Sequence, residues 1–443
     1  MKLDKVIRYL VQFLLGENNE QWVDCVSYGG SGENCVNIVP SVFFREGFYL
    51  QPESLPTLPL KQVDGIPLLY GEDSTQLSSG KVTTRADIIA SAFFLITRYE
   101  EYIRPEVRDC HGRFPGKQSL PYRAGFLHRP IVEEYGVLLR KWLRESGLPV
   151  SEPEKGIRMV YLTHDVDCPW RYTSWLQKLL SLGKDCIVRR DFASAGRKLL
   201  DFWGKDPFTE AFDWLKEQDG TALQRLGNEK CQVIYFLLCA KGRVPDDCAY
   251  SQKTEKTRKL LAHLKDGAQI GLHTCYYSGM HPENLAEDVG IFRTISGQSP
   301  VQNRYHFLTC REPGDLRALC SAGITDDYTF AYADVAGFRL GTCRAVRWID
   351  AAAMEITELT LHPMTIMECT LEREGYMNLN EDEAIAQSLT LLDQVCEHSG
   401  EVTLLWHNTS VASTEKNYQR RLYCTVLDYL PDKMISCKPG KSR

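Results

Sequence analysis

Carboxylates and imidazoles recur in one kind of place along this chain, at the end of a short run of apolar and β-branched residues. Thr163, His164, Asp165, Val166 and Asp167 close such a run; His273 ends AQIGLH; Arg304 and His306 lie in VQNRYHF; Asp326 and Asp327 follow AGIT; His407 and Asn408 end EVTLLWHN. Imidazoles exchange protons near neutral pH, carboxylates accept them, and both bind divalent cations, so the set suits acid–base or metal-assisted chemistry. Successive side chains of a strand alternate, so the DVD spacing sends Asp165 and Asp167 to the same side.

Those runs must be strands. IRMVYLTH, CQVIYFLL, AQIGLH, VQNRYHF, AGITD, ITELTLH and EVTLLWH alternate with helical patterns, the signature of strand–helix units around a parallel sheet. Helix starts are marked by Asp206 before Pro207, His281 before Pro282, and Asn380 with Glu383 three residues on. Seven units predict a barrel or a nearly closed one, whose active site lies at the carboxyl ends of the strands. The polar stretch from Glu145 to Gly156 reads as a linker. It separates an α+β domain over residues 1–150 from a barrel domain over 155–443. In the first domain VNIVPSVFF and GFYLQP read as β-like runs, and ADIIASAFFLITRYEEYI and PIVEEYGVLLRKWL as helices.

The ordered set THDVD, GLHTCYYSG, RYHFL, GITDDYTFAYADVAGFRLGT and LLWHN resembles the polysaccharide deacetylases with a NodB homology domain, the family 4 carbohydrate esterases. FFLITRYEEYI, DCHGRFPGKQS and HRPIVEEYG extend the resemblance to bacterial members carrying an extra N-terminal domain, so it covers most of the chain. The resemblance implies a distorted seven-stranded (β/α) barrel that binds one divalent metal, usually zinc, and deacetylates N-acetylated sugars. Amide hydrolysis needs an activated water, a positive centre for the oxyanion and an acid for the departing amine.

By that resemblance Asp165 is the base and Asp167 a metal ligand, although the family pair is adjacent and the two roles could be exchanged. His273 matches the first metal histidine, whose partner four residues on is replaced here by Tyr277. His306 and His281 are candidates for the missing ligand, and Arg304 matches the arginine that orients the catalytic carboxylate. His407 matches the late histidine that serves as general acid. Asp327, Arg339 and Tyr277 fall where substrate contacts are expected, as does Asp326, while His362 at another strand end reads as structural or functional alike. Trp170, Tyr172, Tyr276, Tyr328 and Trp406 could stack on sugar faces.

Composition narrows the class. The 443 residues carry 52 Lys and Arg against 58 Asp and Glu, a net charge of −6, which offers no basic stripe for nucleic acid. No apolar run reaches the roughly 20 residues of a membrane span, and the opening segment reads as an amphipathic helix with Val6, Leu10, Phe13 and Leu14 on one face. Sixteen dispersed cysteines without a CxxC pair read as free thiols of a cytoplasmic protein, with Cys168 and Cys275 nearest the expected metal residues. YGGSGEN, around Gly29 to Gly32, lacks the lysine of a phosphate loop and the spacing of a serine elbow. The reading is therefore a metal-dependent carbohydrate deacetylase. The alternatives are a degenerate carbohydrate-binding protein on the same barrel and a glycoside hydrolase using a carboxylate pair.

Overall fold

In the computed structural model, which describes residues 2–30, 34–171, 206–247, 254–413 and 417–435, the main feature is a nine-stranded sheet. Before it come β1 (Val26–Tyr28), β2 (Val36–Ile38), β3 (Lys61–Val63), β4 (Ile66–Leu68), β5 (Gly71–Ser78) and β6 (Lys81–Ala86). They form a four-stranded sheet, in the order β1-β2-β6-β5, and the pair β3-β4. Tyr172 and Gly32 lie outside the described residues. The opening helix spans Lys2–Leu15 and buries Val6, Leu10, Val11, Leu14 and Leu15. Phe13 is half-buried instead, with Arg344 stacked 4.1 Å over its ring.

The stretch expected as one long helix is two, Ile88–Ile96 and Tyr99–Ile103, because Arg98 takes a left-handed conformation (φ 51°). Its guanidinium turns inward, over the Phe330 ring and beside Glu312. PIVEEYGVLLRKWL forms the helix Ile131–Glu145, whereas GFYLQP forms turns rather than a strand.

The large sheet comprises β7 (Met159–Val166), β8 (Cys231–Leu238), β9 (Gln269–Thr274), β10 (Gln302–Tyr305), β11 (Asp326–Phe330), β12 (Val346–Asp350), β13 (Glu355–Pro363), β14 (Ile366–Met367) and β15 (Glu401–Leu405). Its order is β12-β13-β11-β10-β9-β8-β7-β15-β14, and only β12 runs antiparallel to its neighbour. The seven anticipated strands are all present, but AGITD is displaced. Gly323 ends the preceding helix in a left-handed cap, so β11 begins only at Asp326. In place of a seven-stranded barrel the chain makes a curled nine-stranded sheet. Its two sides approach where Thr365 N–H donates to the Thr403 carbonyl (2.9 Å) and His362 meets Glu401 (2.8 Å).

Helix caps follow the signals read from sequence in two of three cases. Asp206 accepts from Phe208 N–H, and Asn380 and Glu383 exchange both bonds of a capping box, but His281 caps nothing with its side chain. Most of the buried apolar residues form one continuous cluster that runs from Val6 to Leu430, so residues 2–147 pack directly on the large sheet, and three smaller clusters lie beside it. Among the described residues no helix is long and apolar enough to cross a membrane.

Candidate active site

Strand alternation does the first positioning. In β7, Thr163 and Asp165 point inward with Asp167 just beyond, at the carboxyl end beside β8 and β15. Arg304 on β10 is fully buried and satisfied on three sides. It donates to Asp165 Oδ1 (2.8 Å), the Thr163 hydroxyl (2.8 Å) and the Tyr328 carbonyl (3.0 Å), and lies 4.4 Å over the Phe236 ring. One oxygen of Asp165 is thereby fixed and the other, Oδ2, is left facing His273 Nε2 (3.5 Å) and His407 Nε2 (3.8 Å).

His273, on β9, places its Nδ1 2.9 Å from the Arg304 carbonyl, which leaves Nε2 as the lone-pair atom facing the site. That atom lies 3.1 Å from Asp167 Oδ1, yet neither atom has a hydrogen-bond partner among the described residues. Two buried lone pairs turned toward each other need a positive charge between them, either an extra proton on the imidazole or a cation. His306, immediately after β10, brings Nε2 to 3.7 Å from Asp167 Oδ2, while its Nδ1 is held 3.2 Å from Asp247 Oδ1. Asp167, His273 and His306 offer three ligand atoms within 4.8 Å of one another, an oxygen–nitrogen–nitrogen set that fits a zinc-like ion.

Burial would push the Asp167 carboxyl up, but His306 and His273 outweigh it and hold it well below the usual carboxylate range. The reverse applies at His407, just past β15: burial pushes its imidazole down, and Glu368 and Cys369 outweigh that and raise it well above its ordinary value. Glu368 is fully buried; its Oε1 accepts from His407 Nδ1 (2.7 Å), His407 N–H (3.0 Å) and the Ser410 hydroxyl (2.7 Å). His407 Nε2 then points into the site, 3.6 Å from Asp167 Oδ2. A cavity of about 150 Å³ opens over these groups. Asp165, Asp167, His306 and His407 line it together with Leu308, Met367 and Leu405, and Arg113, Arg373 and Tyr376 stand at its edge.

Other expected residues lie elsewhere. Asp327 is buried and accepts from Asn303 and from Thr329, so it has no substrate to meet. Arg339 is buried in a two-pronged bond to Glu101 (2.9 and 2.7 Å), which ties the N-terminal part to the loop after β11. Tyr277 faces away from the cavity, packed on His281 (4.6 Å between rings) under Arg243. His281 is half-exposed beside Glu283, and is not a ligand candidate in this geometry. His362 is locked between Glu401 and Asp326. Tyr328 and Trp406 are core residues, Trp170 is buried under Lys256, and Tyr276 packs beside the turn after His306.

The cysteine expectation also changes. Cys168 is disulfide-bonded, and the Cys275 thiol, pushed up by burial, is turned to Ser278 and Asp288; neither is a thiolate ligand. Twelve described cysteines are free, and the one at the site is Cys369, 3.8 Å from His407 Nδ1. Sequence reasoning missed Glu368, Asp247 and Arg113. Only the position of Glu368 directly after an apolar run, TIMECT, could have signalled its role.

The family model that matches covers residues 4–147 and is described as a family of unknown function, DUF7033. No curated protein matches the chain. Among solved structures, a candidate polysaccharide deacetylase from Mycobacterium smegmatis is 12% identical with a TM-score of 0.38, covering 64% of this chain and 87% of its own. The polysaccharide deacetylase Bc1974 from Bacillus cereus is 13% identical with a TM-score of 0.29, covering 64% of this chain and 94% of its own.

Proposed function

We propose that this chain is a metal-dependent hydrolase of amide bonds that removes acetyl groups from an N-acetylated sugar or polysaccharide precursor. The observation that carries the reading is the meeting of Asp165, Asp167, His306 and His407 around one small cavity, with buried His273 behind them turning Nε2 to Asp167 Oδ1 at 3.1 Å without a hydrogen bond. Asp167, His273 and His306 would hold the ion. An ion held there would supply a Lewis acid for the acyl oxygen and would lower the pKa of a water.

The chain's own groups do the rest. Asp165 Oδ2, left free when Arg304 takes Oδ1, accepts the proton of the attacking water. Leu308, Met367 and Leu405 give the acetyl methyl an apolar wall. Glu368 keeps His407 protonated with Nε2 toward the cavity, and that proton passes to the departing amine as the carbon–nitrogen bond breaks. Water provides the new oxygen, acetate and a free amino sugar leave, and the proton on Asp165 restores His407. The binding-only alternative draws on Tyr277 and on the valine that splits Asp165 from Asp167; with Tyr277 packed on His281, His306 beside Asp167, and both aspartates on one cavity, nothing favours it.

The test is acetate release from N-acetylated chitooligosaccharides by zinc-loaded protein and by Asp165→Asn. Release that the substitution abolishes is expected. Equal release by the variant contradicts the assignment, and new reducing ends without acetate point to glycoside hydrolysis instead.

A further inference from the structure

The turn after His306 is unusual in a way the proposed chemistry does not itself explain. Phe307 and Leu308 are consecutive non-glycine residues in the left-handed region, at φ 56° and 57°. Each costs on the order of 1 kcal/mol or more, so such a turn persists only when its surroundings impose it. From within its own segment the turn is held by Thr309, whose N–H and hydroxyl both reach the His306 carbonyl (3.2 and 3.0 Å).

The remaining restraint comes from nearly 200 residues upstream. Asp109 closes a small loop on itself: its Oδ1 accepts from His111 N–H (2.9 Å) and Arg113 N–H (3.0 Å), and its Oδ2 accepts from Arg113 Nε (2.8 Å). The guanidinium so aimed is almost fully buried. It donates through one nitrogen to the Phe307 carbonyl (3.1 Å) and through the other to the Tyr376 hydroxyl (3.1 Å). The His111 ring stacks on Phe307 at 4.7 Å, and Tyr276 meets Phe307 edge-on at 5.3 Å.

We infer that Arg113 and His111 form a clamp on the turn after His306, and that Arg113 is a positioning residue of the active site. This gives part of the segment matching the family of unknown function a task in the chemistry. The inference rests on His306 being a metal ligand. Arg113 touches neither ligand atom; it acts by fixing the backbone from which His306 reaches Asp167. A salt link that only joined the two halves of the chain, as Arg339 to Glu101 does, would leave metal affinity untouched.

Competition of the full chain against a chromogenic zinc chelator provides a readout other than activity. Arg113→Met is expected to weaken zinc binding by about 10–100-fold, the usual cost of losing a partner behind a ligand. Arg113→Lys, which keeps one donor for the Phe307 carbonyl, should recover part of it. His111→Ala, which removes only the stacked ring, should give a smaller loss and guards against misfolding of the arginine variant. His306→Ala separates the two claims. If it binds zinc like wild type, the ligand reading fails and takes the clamp with it. If it weakens zinc while folded Arg113→Met and His111→Ala do not, the clamp alone is overturned.

Discussion

Two cavities lie at opposite ends of the same strands, and the smaller one is the proposed active site. The cavity at the carboxyl ends measures about 150 Å³ and is bordered by Asp165, Asp167 and Leu405. The cavity at the amino ends measures about 580 Å³ and is bordered by Met159 and Glu401, the first residues of β7 and β15. The larger cavity is richer in charge, but its charges are paired with one another. Arg344 donates to Glu133 (3.0 Å) and to the Phe13 carbonyl (2.8 Å); Arg140 donates to Glu152 (2.7 Å) and to the Leu14 carbonyl (2.8 Å). Arg158 pairs with Glu17, and Lys155 with Glu397.

These bonds cap the free carbonyls at the end of the opening helix and fasten it to the large sheet. Beside the smaller cavity, Asp167 Oδ1 and, behind the lining, the buried His273 Nε2 and Glu368 Oε2 have no hydrogen-bond partner among the described residues. Buried polar groups are normally satisfied; Trp348 Nε1 and Thr403 Oγ1 are left open elsewhere in the core, and the site differs in that two such atoms, on a histidine and a carboxylate, face each other.

Substitutions at the two ends should therefore fail in different ways. Asp165→Asn should lower acetate release by about 10²–10⁴-fold, the range for losing a general base, with zinc content unchanged because Asp165 is not in the ligand set. A deeper charge network, reached through Glu401, should show in stability rather than rate. Burial pushes His362 down, but Glu401 and Asp326 outweigh it and raise its imidazole to about 9. Its stabilising effect is complete below the ordinary value of 6.5 and is lost as pH rises through about 9. The unfolding free energy from urea titration should fall over that window by up to about 3 kcal/mol, and His362→Phe should flatten the dependence.

Glu133→Gln, which weakens the bonds to Arg344 and Thr342, should cost about 2 kcal/mol of stability and leave both zinc content and rate alone. Glu368→Gln should fold and bind zinc normally while slowing acetate release on the order of tenfold, since His407 loses the carboxylate that holds its proton. A loss of zinc in Glu133→Gln, or a loss of stability without loss of rate in Glu368→Gln, would erase the distinction between the ends.

How much of this was legible in the sequence follows from distance along the chain. Asp165, Asp167, His273, Arg304 and His407 could be picked out because each sits at or near the end of an apolar run, and strand geometry carries such positions to one face. The third ligand candidate was less legible, since a helical HxxxH spacing pointed to Tyr277. That residue does lie on a short helix, Tyr276–Met280, but the helix turns it away from the site. Glu368 follows a strand of two residues, too short to show a period, and Asp247 stands in a stretch with no periodicity at all. Arg339 stands in GFRLG, among small and apolar neighbours that say nothing of its partner, and that partner, Glu101, is 238 residues away. Nine strands instead of seven follow from β12 and β14, a returning edge strand and a two-residue one that alternation alone does not reveal.

The central claim, that Asp167, His273 and His306 form a metal site, is tested most directly by elemental analysis of the purified full chain. Wild-type protein and the Asp167→Ala, His273→Ala and His306→Ala variants would be compared after dialysis against trace zinc, with folding checked by circular dichroism. The account predicts close to one zinc per wild-type chain and a large loss in each folded variant. A wild-type chain free of zinc, or variants that retain it in full, would contradict it.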